Sequence, residues 1–146
     1  MHVRAKKHLG QHFLTDETIA EKIANSLVLK DIKNVLEIGP GMGVLTKYLL
    51  QRDINLKVIE IDDESVRFLK TNYSELDGKI IEGDFLQQDI PQLFEQPFAI
   101  AGNFPYNISS QILFKVLEHK DKVLEVVGMF QKEVAERISS PPGNRD

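Results

Sequence analysis

The sequence contains no cysteine and no tryptophan. Without thiols there is no disulfide framework, no thiolate zinc site and no sulfur nucleophile, so stability must come from packing and chemistry from backbone amides and oxygen or nitrogen groups. That suits a reducing cytosol. No apolar run approaches the roughly 18 residues of a spanning helix, and no apolar stretch of the signal-peptide kind follows the basic first dozen residues. The expected location is cytoplasmic, away from membranes. Histidine is scarce too: His2, His8 and His12 lack regular ligand spacing and His119 stands alone, so no metal site is expected. What is present is 146 residues, 42% hydrophobic and 27% charged, a balance that supports one water-soluble domain around one core. Net charge is −4, yet residues 1–12 hold Arg4, Lys6 and Lys7 and no acid. A basic arm on an acidic body is either a solvated terminus or a localised polyanion contact.

Residues 16–28 read as an amphipathic helix, with Ile19, Ala20, Ile23, Ala24, Leu27 and Val28 on one stripe and Thr15 or Asp16 as N-cap. From residue 34 onward short apolar runs alternate with helix-like stretches. Runs at 35–38, 56–61, 79–81, 98–101 and 123–129 are predicted strands, and 44–52, 63–74, 109–118 and 131–139 are predicted helices. Runs apolar on both faces suit parallel strands covered by helices on both sides. The expected fold is therefore α/β, a doubly wound, mostly parallel sheet. The last eight residues, from Ser139 to Asp146, are turn chemistry.

Three motifs fall at predicted strand ends. Glu37-Ile-Gly39-Pro-Gly41-Met-Gly43 follows the first strand and opens a helix, where glycines allow a tight turn and close approach of a ligand to the backbone. It lacks the later glycine or alanine of the dinucleotide fingerprint. Glu60 ends the second strand, where an acid can accept two hydrogen bonds from ribose hydroxyls; Asp62, before Glu64-Ser65-Val66, is assigned instead to capping the next helix. Glu82-Gly83-Asp84-Phe85 ends the third strand. Asp84 is either an ordinary turn residue or an acceptor for an adenine amino group, with Ile61 and Phe85 covering the ring. A glycine turn, a ribose acid and an adenine acid at successive strand ends resemble the Rossmann-like fold of S-adenosylmethionine-dependent methyltransferases. Adenosylmethionine or its demethylated product should then raise the melting temperature, and NAD should not.

The most specific signal is Gly102-Asn103-Phe104-Pro105-Tyr106-Asn107 after the fourth strand. It matches N-[ILF]-P-[YF], the motif of methyltransferases acting on the exocyclic amine of adenine. Further segments appear in order: Lys7 to Leu14, Glu37 to Thr46, Glu60-Ile-Asp62, Gly83-Asp84-Phe85, Asn103 to Ser110 and Met129 to Arg137. Together they closely resemble the ribosomal RNA adenine dimethyltransferase family, particularly the bacterial branch that dimethylates two adjacent adenines near the 3′ end of small-subunit rRNA.

That resemblance implies S-adenosyl-L-methionine as cofactor, with Gln11, His12 and Leu14 closing over its methionine end. Gly39 and Gly41 would pass beneath it, Glu60 would hold ribose, and Asp84 would hold adenine beside Ile61 and Phe85. His12 stands where many relatives have Asn. The Asn103 side-chain oxygen and the Phe104 carbonyl would bind the two amine hydrogens while Pro105 stiffens the turn, and Tyr106 would stack on the target base. Phe130 either faces Tyr106 across that base or belongs to the core. Arg4, Lys6, Lys7, Lys132 and Arg137 are candidates for phosphate contact, Lys132 and Arg137 equally fitting a solvated helix face.

Partners implied are small-subunit rRNA and the immature small ribosomal subunit. The alternatives are an rRNA-binding assembly factor whose methylation is secondary or lost, and a methyltransferase of large-subunit rRNA of the erythromycin-resistance type. The family continues past Asp146 with further sheet strands and a helical C-terminal domain. Residues 1–146 are accordingly expected to be an incomplete catalytic domain, truncated after the fifth strand, inactive in isolation and prone to associate through the edge formed by residues 123–129; the full-length protein is expected to be a monomer.

Overall fold

The structure, a computed structural model, describes residues 16–104 and 107–129. Within them five strands form one parallel sheet: β1 (Asn34–Ile38), β2 (Asn55–Glu60), β3 (Ile80–Glu82), β4 (Phe98–Asn103) and β5 (Val123–Met129), in the order β3-β2-β1-β4-β5. The helices are α1 (Glu17–Ser26), α2 (Val44–Leu49), α3 (Asp63–Asn72), α4 (Ile90–Leu93) and α5 (Ser109–Glu118), with 3-10 turns at Ser74–Leu76 and Phe85–Gln87. Among the described residues no helix is long and apolar enough to cross a membrane.

Successive residues along the central strands β1, β2 and β4 enter two different cores. Val35, Leu56, Val58, Ala99 and Ala101 pack with Ile23, Ala24 and Leu27 of the α1 segment, Leu45 and Leu49 of α2, and Leu69 of α3. Leu36, Ile38, Ile59, Phe98 and Ile100 pack on the other face with Ile90 and Leu93 of α4, Ile112 and Val116 of α5, and Phe85. This explains why the strands read as continuous apolar runs: alternation is between two buried layers, not between core and water.

Helix ends carry the expected chemistry. Asp16, not Thr15, caps α1, accepting from Thr18 N at 2.9 Å and Ile19 N at 3.3 Å. At the other end the Arg52 guanidinium donates to the carbonyls of Ala24 (2.6 Å) and Leu27 (3.1 Å), satisfying acceptors that the helix leaves open. The apolar stripe expected for residues 16–28 needs correction at both ends: Val28 is 75% exposed and Ile19 36%. The helix stops at Ser26 and Leu27 is already extended, so Val28 leaves the helical phase. The Glu125 carboxylate on β5 instead accepts from the amides of Val28 (2.8 Å) and Leu29 (3.0 Å).

Two departures concern length and omission. The second helix ends at Leu49 rather than residue 52, because Leu50 is its C-cap and Arg52 turns away toward α1. The short α4, with Pro91 in its first turn, was not anticipated, nor were the 3-10 turns.

Candidate active site

Parallel register lines the motifs up along one edge. Ile38 pairs with Ile59 on one side and Gly102 on the other, Glu60 pairs with Glu82, and Asn103 pairs with Met129. Gly39 N donates to Ile59 O and Gly83 N to Glu60 O, both at 2.9 Å, carrying the ladder past the strand ends. The strand order reverses between β1 and β4, the kind of switch point where sheets of this class take ligands outside the carboxyl ends. The glycine turn and the Asn103 turn follow the two adjacent strands there. Three strand spacings separate the Asp84 loop from Asn103, about 14 Å.

Gly39, Gly41 and Gly43 have φ of +67°, +56° and +85°, a left-handed succession that side chains resist. Gly43 has a second constraint, since a Cβ there would lie 2.7 Å from the Tyr73 ring, whose hydroxyl donates to Gly43 O at 3.1 Å. Carboxylates frame the turn. Glu60, 2% exposed, accepts from Gly41 N (2.9 Å), Ile61 N and Asp62 N (both 3.0 Å). Burial raises its pKa and the Asp62 charge adds to the rise, while these amides hold it down. Glu37, equally buried, accepts from the Thr46 hydroxyl and so joins the end of β1 to α2. Burial pushes its carboxyl up to about 8, assisted by the Glu60 charge and opposed by Thr46.

Asp62 takes the capping role assigned to it, accepting from Ser65 N (3.1 Å) and Ser65 Oγ (2.9 Å) at the start of α3. Asp84 accepts from Leu86 N at 2.9 Å, so it is a turn residue standing on the same edge as Glu60. Of the two apolar candidates beside it, Ile61 is 50% exposed whereas Phe85 is buried in the core at 3%. Only Ile61 therefore offers side-chain surface at the edge; Phe85 supports the loop from beneath.

On the β4 side, Phe104 N donates to Met129 O at 3.0 Å, and its ring is 1% exposed. Two strand glycines, Gly102 at the head of the Asn103 motif and Gly128 on β5, make room for it. A Cβ on Gly128 would sit 2.1 Å from Gly102 O and 2.5 Å from the Phe104 ring; one on Gly102 would sit 2.8 Å from Ile38 O. Glycine inside a strand signals such close approach and was the available clue. Glu37 and Thr46 also went unassigned, although an acid inside an apolar strand is itself a signal. Gln11, His12, Leu14, Pro105, Tyr106, Phe130, Arg4, Lys6, Lys7, Lys132 and Arg137, for which the sequence suggests roles, lie outside the described residues. Among those described, no group of three or more His, Cys, Asp or Glu side chains could hold a metal ion.

Such a sheet, with a glycine turn and an acid at neighbouring strand ends, is the Rossmann-like methyltransferase fold. Solved structures agree: the 23S rRNA methyltransferase ErmE superposes with TM-score 0.75 at 29% identity, over 92% of this chain and 54% of that one. A dimethyladenosine transferase from Plasmodium falciparum gives 0.74 at 33% identity, over 91% and 48%. The chain belongs to the ribosomal RNA adenine dimethylase family, which it matches over residues 2–146. Curated relatives named ribosomal RNA small subunit methyltransferase A are 62% identical in Flavobacterium johnsoniae, covering 98% of this chain and 55% of that protein, and 51% identical in Porphyromonas gingivalis, covering 100% and 57%. The chain thus spans about half the length of the curated relatives it matches.

Proposed function

We propose that this chain carries the cofactor-binding and catalytic portion of an enzyme that dimethylates the exocyclic amine of adenines in small-subunit rRNA, with S-adenosylmethionine as methyl donor, during assembly of that subunit in the cytoplasm. The observation that carries the reading is the pairing of Ile38 with Gly102, which makes the glycine turn and the Asn103 turn neighbours at the switch point. The residues present fit the cofactor. A Cβ added to Gly39 would meet no atom within 4 Å, so space stands against bare backbone there. Gly39 and Gly41 would underlie the methionine portion with Gln11, His12 and Leu14, Glu60 the ribose, and Asp84 and Ile61 the adenine over the packed Phe85. When bound, the cofactor supplies an electrophilic sulfonium methyl.

The chain's own contribution is to the acceptor nitrogen. An adenine amine is a poor nucleophile because its lone pair is delocalised into the ring. The Asn103 side-chain oxygen and the Phe104 carbonyl accept its two hydrogens, which favours a pyramidal nitrogen with an outward lone pair. Gly102 and Gly128 hold that carbonyl's residue by admitting its ring beneath the turn. Tyr106 and Phe130 would flank the base, and Pro105 would stiffen the turn that carries Asn103. Methylation leaves a cationic nitrogen that loses its proton to water, so no general base is required. The phosphate contacts fall to Arg4, Lys6, Lys7, Lys132 and Arg137.

Small-subunit rRNA is preferred as substrate over large-subunit rRNA because the relatives at 51–62% identity carry that name, against 29% for ErmE. In the longer relatives we place the remaining sheet strands beside β5 and the rest of the RNA grip in the additional length. Alone, this chain is expected to bind cofactor without turnover and to associate through β5, the longer of the two edge strands among the described residues. The test is Asn103→Ala in the full-length enzyme acting on immature small subunits. Transfer should fall by about 100-fold or more with cofactor affinity nearly unchanged; near-normal turnover would overturn the assignment.

A further inference from the structure

β3 has only three residues and is an edge strand, so it positions the loop after it weakly. That loop carries Asp84, the adenine acid of the proposed function, and its outer support comes from another element. Lys115, on α5 between the buried Ile112 and Val116, extends its ammonium across the loop and donates to Gln88 O at 2.6 Å and Leu86 O at 3.0 Å. The same ammonium lies 5.8 Å from the centroid of the Phe85 ring.

Within the loop, Asp84 accepts from Leu86 N, Gln87 N donates to Asp84 O at 3.0 Å, and the Gln88 side-chain amide donates to Asp84 O at 3.2 Å. The turn therefore uses its own amides around Asp84. Carbonyls at its far end have no continuing helix to donate to them, and one half-buried cation serves two of them. Among the described residues no ion pair involves Lys115, so its ammonium is directed to the loop rather than to a carboxylate.

We infer that Lys115 is a positioning residue for cofactor recognition: by holding the Leu86 and Gln88 carbonyls it fixes the Asp84 carboxylate and thereby sets the preference for a 6-amino purine. This rests on the proposed function. α5 also begins at Ser109, five residues after Phe104, and the Ser109 hydroxyl donates to Phe104 O at 3.5 Å. Both the target-amine turn and the adenine loop are then tied to one helix, the former near its start and the latter through Lys115 in its second turn.

The experiment uses the full-length protein and compares Lys115→Met, Lys115→Arg and, as a control, Lys122→Met, whose ammonium donates to Glu95 O at 2.8 Å elsewhere on the surface. Calorimetry measures binding of S-adenosylhomocysteine and of its 6-oxo analogue, S-inosylhomocysteine, which offers Asp84 no amino hydrogens. Lys115→Met should weaken the adenosyl ligand roughly tenfold, the worth of one well-made hydrogen bond, and leave the inosyl ligand unchanged, so that wild-type discrimination shrinks. The KM for adenosylmethionine should rise with kcat preserved at saturation, Lys115→Arg should restore discrimination, and Lys122→Met should not alter it. Equal weakening of both ligands, or an unchanged ratio in a folded Lys115→Met protein, overturns the inference. Should that variant not fold, Lys115→Gln is read by the same ratio. If the wild-type protein binds neither adenosyl ligand, the proposed function fails with it; if it binds and the ratio does not move, only the role of Lys115 fails.

Discussion

At the ends of β1 and β2, buried carboxylates hold backbone in place: Glu60 gathers three amides around the glycine turn and Glu37 ties β1 to α2 through Thr46. At the ends of β4 and β5 the restraint is steric, with Gly102 and Gly128 hollowed to admit the Phe104 ring. The first arrangement titrates and the second does not. Hydrogen-bonded carboxylates are responsive to pH and to whatever charge arrives beside them, whereas packed rings tolerate almost no change of volume. That division matches the proposed labour of the two halves, one receiving a charged cofactor and the other presenting a carbonyl in a fixed place.

The comparison breaks first at Gly128. Gly128→Ala forces a Cβ to within 2.1 Å of a backbone oxygen, which no rotamer relieves. It should destabilise by about 3 kcal/mol and lower Tm by roughly 10 °C. Gly39→Ala, strained in φ but facing open space, should cost only about 1 kcal/mol while weakening cofactor binding. Thermal melts of both variants settle the ranking; a Gly128→Ala protein as stable as wild type would dissolve the steric half of the argument.

The polar half is sharpened by pH. The folded Glu37 carboxyl titrates at about 8 against an ordinary 4.5, so the native state keeps a proton that the unfolded chain releases. Its contribution to stability is fully present below about 4.5 and is lost as pH rises through about 8. Melting temperature should decline across that window, and Glu37→Gln should flatten the decline. Some slope should survive, because burial raises Glu60 in the same direction. An identical profile in wild type and Glu37→Gln would place the titration elsewhere. The smallest effect belongs to Asp16→Ala, which removes the α1 cap and should cost about 1 kcal/mol, with no change in cofactor affinity.

Much of the fold was legible in the residues. All five strands lie within two residues of where apolar runs placed them, because strands packed against helix layers are built mostly from apolar residues, with the buried Glu37 and Glu60 as exceptions at the site. Asp62 was legible as the cap of α3 because it stands directly before a helix, and it accepts from Ser65 N and Oγ there. Less visible was anything that depends on a neighbour far along the chain. Val28 looked helical until α1 ended early and Glu125 took its amide. Phe85 looked like pocket surface until it entered the core with α4 and α5. Lys115 reads as an ordinary helical lysine and shows its target only when a loop 27 residues away folds beneath it.

By itself, then, the sequence determined the β-α order, the parallel sheet and the positions of the glycine turn, Glu60, Asp84 and Asn103 at strand ends. Those follow from local periodicity and from turn chemistry carried by adjacent residues. Only the tertiary structure decided which strands are neighbours, that the glycine and Asn103 turns follow adjacent strands, and that burial raises the Glu37 and Glu60 carboxyls. Pairing across the sheet and exclusion of water are properties of distant segments brought together, and no local pattern contains them.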